Sequence, residues 1–377
     1  MASLVACPAA AGSHRPPPPA GRDDPGPCRP LPPAPQCRAH RRQEPRAAHR
    51  RRPREPSRVG PRRRHRLLTW GPGRRGPDGT VARVTTAVRP RVGAVVLTQG
   101  KRPAELRAAL ESVLAQEGVD VEVVCVGNGW EPTGLPDGVA TVALPENLGI
   151  PAGRNAGVPH VAGDLLLFVD DDARLADTDF LARAAALFAA DPRLGVVQPR
   201  VESPGEEAPT RWIPRMRKGD PTRSSPVFSL WEGVLVARRT AFDAAGRWGD
   251  EYFYAHEGIE LAWRVWDAGY EVWYRGDLSC EHPAIDPARH DYYYRLNARN
   301  RVWLARRNLR WPFTWAYVAT WTAVAVVRGV RSAGGRRSLR PWFAGWREGW
   351  RTDPGPRRPM RWRTVLVMTR RWRPPVV

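Results

Sequence analysis

At 377 residues the chain is long enough for one large or two ordinary domains, so neither disulfides nor structural metals are needed to explain a stable core. Its formal charge of +22 suggests a nucleic-acid binder until it is mapped: residues 1–90 hold 20 Arg, no Lys and five acids, and residues 328–377 hold 14 Arg and two acids, leaving residues 91–327 at a net −5. The basic ends therefore exclude whole-chain charge as a guide to the middle, and no nucleic-acid partner is expected for it.

The five cysteines, at 7, 28, 37, 125 and 280, form no CxxC pair, as expected in a reducing compartment. The opening MASLVACPAAAG lacks a basic start and its apolar run breaks at Pro8, so it makes a poor secretory signal and predicts a cytoplasmic catalytic face. Residues 1–90 hold 18 of the 40 prolines, with runs such as Pro16 to Pro19 and Arg62 to Arg64, and no apolar periodicity from which to build a core. They are expected to form a disordered arm. Three readings stay open for it: a solvated tail, an electrostatic arm for RNA or anionic lipid, or a natural start near residues 81–92.

Composition changes at Arg91. Val92 to Leu97 is an apolar run of strand length, closed by the turn Thr98-Gln99-Gly100-Lys101. Leu106, Leu110, Val113 and Leu114 then recur at i, i+4, i+7 and i+8 after Pro103, which predicts an amphipathic helix beginning near its proline. Strands follow over Val121 to Val126, Val139 to Leu144 and Leu165 to Val169, with a short helix from Pro151 and another over Asp179 to Ala190. This alternation predicts an α/β fold, a mainly parallel sheet with helices on both faces. Gln198 to Pro226, rich in Pro, Gly and charge, is too long for a connector and is expected to be a mobile acceptor loop or disordered.

Ligands of such sheets bind beyond the carboxyl ends of the strands, and the residues there are polar. Thr98 and Gln99 follow the first strand, Gly127-Asn128-Gly129 the second, and Asp170-Asp171-Asp172 the strand LLLFV. Adjacent carboxylates repel one another, so a bound cation is a natural compensation, and hard oxygen ligands point to Mg²⁺ or Mn²⁺ on a diphosphate. An exposed acidic turn is the alternative.

Four segments, VVLTQGKRPAELRAALESVLAQ, ENLGIPAGRNAG, LLLFVDDDA and YFYAHEGIELAWRVWDAGYEVWY, together resemble family-2 glycosyltransferases of the GT-A fold, nearest to bacterial rhamnosyltransferase-like members. The resemblance covers about Arg91 to Arg310 and implies a catalytic domain over 91–310. It implies transfer of a sugar, of the hexosyl type, from a nucleotide-diphosphate donor with inversion at the anomeric carbon. Thr98, Asn128, Asn147, Gly153, Arg154, Asn155 and Asp170 would line the donor site, with Asp170, Asp172 and His282 around the metal. Trp231 and Glu232, before the strand VLVAR, would face the acceptor, where an indole can also stack on a sugar. Two positions depart from the family: Gly127 stands where relatives often carry a base-reading aspartate, and Gly258 where they carry the aspartate that takes the acceptor proton. Glu257 is the expected replacement base, with Glu260, three residues on and on the same helical face, as its alternative. Trp130 is open between stacking on the base and core packing.

Trp311 to Val327 is 17 residues without a charge, at the lower limit of a membrane span, and Trp342, Trp346 and Trp350 repeat at i, i+4 and i+8 among arginines. Residues 311–377 are accordingly expected to associate with an anionic membrane, the competing reading being helices packed on the catalytic domain with a basic exterior. The resulting expectation is a metal-dependent glycosyltransferase at the cytoplasmic face of the cell membrane, acting on a lipid-linked or cell-surface glycan acceptor in polysaccharide or cell-wall synthesis. A nucleotidyltransferase of similar fold and a non-enzymatic binder of RNA or acidic lipid are the alternatives.

Overall fold

The apolar run after Arg91 forms β1 (Arg91–Thr98), buried at every position from Val92 onward, as a strand covered on both faces must be. A computed structural model of the chain describes residues 89–215, 219–284, 292–331, 335–371 and 374. All but the last two residues of the expected disordered arm lie outside them. After β1, Pro103 opens α1 (Pro103–Leu114), which buries Leu106, Ala109, Leu110 and Val113. Leu114, expected on that stripe, is 38% exposed at the helix end. β2 (Asp120–Asn128), β3 (Val139–Leu144), α2 (Ile150–Gly157), β4 (Leu165–Asp170), the two-residue β5 (Arg174–Leu175) and α3 (Phe180–Ala190) complete the first half. The second half contains β6 (Leu194–Glu202), β7 (Ser225–Pro226), β8 (Val234–Arg238), α4 (Arg239–Ala245), α5 (Glu257–Ala268) and β9 (Glu271–Glu281).

The sheet runs β3-β2-β1-β4-β8-β6-β9-β5, with β7 also on β9. β3, β2, β1 and β4 are parallel, and so are β6 and β9, but β8 lies antiparallel between β4 and β6. The expected mainly parallel sheet is thus mixed. The reversal arises because the chain leaving β6 stays at the carboxyl edge, so β8 starts there and runs back down. Alternate residues serve opposite faces. Val95, Leu97, Leu166 and Phe168 join one core, and Val92, Ala94, Val96, Leu165, Leu167 and Val169 the other.

The segment after Gln198 is not the free loop expected. It contributes the end of β6, a turn at Thr210–Trp212 with Trp212 buried, and β7 paired with β9. Buried Gln198 fastens it, donating from Nε2 to the Trp212 carbonyl at 2.9 Å and accepting the Trp231 N–H at 2.8 Å.

Four helices close the described fold: α6 (Tyr293–Asn308), α7 (Trp311–Arg331), α8 (Gly335–Arg351) and α9 (Trp362–Arg370). Val302, Trp303, Leu304, Tyr317, Val318, Met360, Val365 and Met368 join the same buried cluster as Val95 and Phe168. The core therefore continues without a break past residue 310. The tryptophan repeat of α8 packs on the protein: Trp342 is buried, and the partly buried Trp346 and Trp350 lie against this core. α8 approaches α6 so closely that a Cβ on Gly345 would stand 1.9 Å from the Arg295 carbonyl oxygen. Among the described residues no helix is long and apolar enough to cross a membrane.

Candidate active site

The carboxyl ends of β1, β2, β4 and β9 and the start of β8 meet at one edge of the sheet, and the chemistry-bearing residues collect there. Asp170 ends β4, and its backbone N–H donates to the Gly233 carbonyl at 2.8 Å, which draws Trp231-Glu232-Gly233 to the triplet. His282 follows β9, its N–H bonded to the Glu202 carbonyl at 2.9 Å. Its Nε2 lies 3.2 Å from Asp172 Oδ1. Asp170, Asp172 and His282 each offer a ligand atom within 4.8 Å of the others. Two hard carboxylate oxygens and an imidazole nitrogen suit a divalent cation, and His282 Nδ1 is buried without a partner among the described residues.

The three adjacent aspartates point into the protein, yet crowding alone does not require a metal. Arg102 pairs with both Asp171 and Asp172, and Thr98 Oγ1 donates to Asp171 Oδ2 at 2.6 Å. Burial tends to weaken the Arg102 charge, but Asp171, Asp172 and Asp170 outweigh it and raise its pKa. Burial lifts the Asp171 carboxyl to about 6, although Thr98 and Arg102 work against the shift. At Asp172 burial is the largest influence, but the His282 hydrogen bond and the charges of His282 and Arg102 together outweigh it, and the pKa is lowered. Arg102 was not among the expected site residues; its only signal is a basic residue directly after the turn that ends β1.

Arg154, expected to meet a phosphate, is instead 1% exposed. Its Nη2 donates to Asp170 Oδ1 at 2.6 Å and to the Glu232 carbonyl at 3.0 Å, and its guanidinium carbon lies 5.1 Å from the Trp248 ring centre. It holds Asp170 through Nη2, while its Nε and Nη1 are buried with no hydrogen-bond partner among the described residues. Asn128 and Asn147 also serve the scaffold. Asn128 Nδ2 donates to Asn147 Oδ1 at 2.9 Å and to the Gly149 carbonyl at 3.0 Å, while Asn128 Oδ1 accepts the Leu148 N–H at 2.8 Å. Asn155 Nδ2 reaches the Trp248 carbonyl at 2.9 Å and Asp250 Oδ1 at 2.5 Å. Gly153 lets α2 settle on β1, since a Cβ there would lie 2.6 Å from Leu97 Cδ1. At Gly127 a Cβ would meet the Trp130 carbonyl oxygen at 1.9 Å, so the aspartate expected of relatives has no room in this backbone. The Trp130 ring packs over Gly100, where a Cβ would lie 2.4 Å from it.

On the acceptor side Trp231 is partly exposed, its ring 5.1 Å from His282 and 5.6 Å from Trp212. Trp212 meets His282 edge-on at 5.4 Å, so two indoles fix the imidazole. Nothing in the residues around Trp212 foretold this. Glu257 opens α5, 3% exposed, with Oε2 unpartnered among the described residues. Glu232 Oε1 accepts the Gly258 N–H at 2.9 Å.

Glu260, expected as an alternative base, is committed elsewhere. Arg307 Nε at 2.7 Å, Arg264 Nη2 at 2.9 Å, Asn308 Nδ2 at 2.7 Å and the Tyr252 hydroxyl at 3.2 Å surround its carboxylate, which is 1% exposed. The shared helical face does not bring the two glutamates into one site. α6 also steadies the loop before α5, where Phe253, Ala255 and His256 have φ of 65°, 68° and 76°. Asn300 Nδ2 lies 3.0, 2.6 and 2.9 Å from the carbonyls of Tyr252, Tyr254 and Ala255.

Residues 94–246, from β1 to α4, match the model of the family described as glycosyl transferase family 2. No curated protein matches the chain. Among solved structures, S. aureus TarS 1-349 is 13% identical, with a TM-score of 0.50 over 69% of this chain and 80% of that one. GalNAc-T7, solved with UDP, GalNAc and Mn²⁺, is 13% identical with a TM-score of 0.48 over 61% of this chain, which spans only 50% of that protein's length. The mannosyltransferase PcManGT of Pyrobaculum calidifontis, solved with GDP-Man and Mn²⁺, is 17% identical with a TM-score of 0.44 over 69% of this chain and 85% of that one. Residues 94–246 thus resemble family-2 glycosyltransferases, and the chain has an α/β fold similar to that of TarS.

Proposed function

We propose that the chain transfers a hexosyl group from a nucleotide-diphosphate sugar to a hydroxyl of a glycan or lipid-linked acceptor, inverting the anomeric centre. The observation that carries this is the convergence of Asp170, Asp172 and His282 at the carboxyl edge of a domain matching glycosyl transferase family 2. A divalent cation held by these three residues would supply positive charge against the departing diphosphate. The chain's own groups do the remainder. Arg154 fixes Asp170, the Trp212–Trp231 pair orients His282, and a carboxyl at the start of α5 or before β8 would take the acceptor proton.

The test is a screen of UDP-, GDP- and dTDP-sugars, a rhamnosyl donor included, against the full chain with and without Mn²⁺. One donor is expected to raise the melting temperature only with the metal, by linkage of binding to the native state. Release of nucleoside diphosphate should follow on adding acceptor. No metal-dependent shift with any donor, or release of pyrophosphate instead, rejects the reading.

We further infer that the C-terminal helices rest on an anionic membrane surface at the cytoplasmic face. Trp311, Trp315 and Trp362 are 49%, 58% and 58% exposed among arginines, with Arg357 over the Trp311 ring and Arg310 over the Trp362 ring. The chain is expected to sediment with phosphatidylglycerol vesicles at low salt and not with phosphatidylcholine vesicles. Equal recovery in both supernatants rejects membrane binding.

A further inference from the structure

Glu232 and Glu257 differ from the other acids of the site in lacking a guanidinium pair among the described residues. Burial, and then the charge of Glu257, lift the Glu232 carboxyl to about 8, with Arg154 opposing them. Burial also raises Glu257, again against Arg154 and with the charge of Asp170. Glu232 Oε1 accepts the N–H of Gly258, the residue after Glu257, and like charges held so near each other favour a proton shared by the pair over two ionised carboxylates.

The position of Glu232 depends on Gly258. A Cβ at residue 258 would lie 2.3 Å from Glu232 Oε1 and 2.6 Å from its Cγ, so the glutamate occupies the volume that any other side chain at 258 would take. The first turn of α5 anchors it there through the Gly258 N–H. Arg154 Nη2 bonds both Asp170 Oδ1 and the Glu232 carbonyl, which ties the pair to the edge bearing the metal-ligand cluster. Exposure separates the two members: Glu257 is 3% exposed, whereas Glu232 keeps part of its surface open.

We propose that Glu232 and Glu257 form one acid pair holding a single proton, and that Glu232, seated in the space Gly258 leaves, takes the proton from the attacking acceptor hydroxyl. This rests on the transferase reading. In the step the acceptor O–H bond breaks and its proton passes to Glu232. The oxygen forms a bond to the anomeric carbon, and the bond from that carbon to the diphosphate oxygen breaks, its electron pair leaving with the nucleoside diphosphate. Glu257 is a positioning residue in this scheme, acting through its charge on Glu232.

The experiment compares Glu232→Gln, Glu257→Gln, Gly258→Ala and the double variant Glu232→Ala with Gly258→Asp in the full chain. Transfer is measured across pH, beside donor-induced thermal stabilisation. Glu232→Gln should lower transfer about a thousandfold, the upper range for losing a general base, and keep donor stabilisation. Gly258→Ala removes no acid but displaces Glu232, and should cost about a hundredfold. An aspartate at 258 in the double variant should recover about tenfold over Glu232→Ala alone. Because the base must be ionised, wild-type transfer should rise with pH, and Glu257→Gln should move that limb to lower pH by removing the neighbouring charge. Independently of activity, an infrared carboxylic-acid C=O band should be present at pH 7 and vanish in Glu232→Gln or Glu257→Gln. Glu232→Gln turning over at the wild-type rate, or no such band in wild type, overturns the proposal and leaves the transferase reading standing. A wild-type chain that turns over no donor overturns both.

Discussion

Replacing Asp172 by Asn is expected to abolish Mn²⁺-dependent stabilisation by the donor and to lower transfer by at least about a hundredfold to a thousandfold, the scale of losing a preorganised electrostatic contact. Asp172 is 9% exposed, its Oδ1 is 3.2 Å from His282 Nε2, and it lies in the cluster whose ligand atoms fall within 4.8 Å. The substitution keeps shape and removes the anionic oxygen. Arg102 retains Asp171 as a partner, so the chain should remain folded. Mn²⁺ binding followed by electron paramagnetic resonance, beside the transfer assay, separates loss of metal from loss of fold. Unchanged Mn²⁺ affinity with activity within tenfold of wild type would remove Asp172 from the metal site.

Glu260→Ala should act on stability. It would strip the carboxylate from buried Arg307, Arg264 and Asn308, leaving the Arg264 guanidinium without a carboxylate and Arg307 with only the more exposed Glu251. Breaking one side of a buried ion pair costs about 3–5 kcal/mol. In a chain of this size that corresponds to a fall of about 10 °C in melting temperature. Denaturant midpoints should shift to match, and Glu260→Gln, which keeps some hydrogen bonding, should fall between. A Glu260→Ala protein as stable as wild type would show that this hub does not hold α5 against α6. The assignment matters for function because the same two helices frame the strained loop at Phe253, Ala255 and His256 that delivers Glu257.

Much of the fold was legible along the chain because its signals are local. β3, a half-exposed edge strand, was read at its observed limits, and β1, β2 and β4 to within one or two residues, since strands with buried runs appear as apolar stretches. The helix after Pro103 was visible in its spacing. The candidate metal cluster was partly visible too: Asp170 and Asp172 follow an apolar strand, while His282 was suggested by the family resemblance. Elements of two residues, such as β5 and β7, carry no periodicity to detect, and the antiparallel setting of β8 is a property of its neighbours.

By itself the sequence determined which segments bury themselves and which polar residues end the strands, because side-chain hydrophobicity and the two-residue repeat act over a few positions. It also placed acids at 257 and 260 on one helix. Only the tertiary structure decided that these two part company, Glu257 toward Glu232 and Glu260 toward Arg307. Likewise Arg102 meets Asp172 across 70 residues, Trp212 reaches His282, and the α8 tryptophans turn inward against the core. A charge or an indole takes its role from whatever lies within a few ångströms, and for these residues those neighbours come from distant parts of the chain.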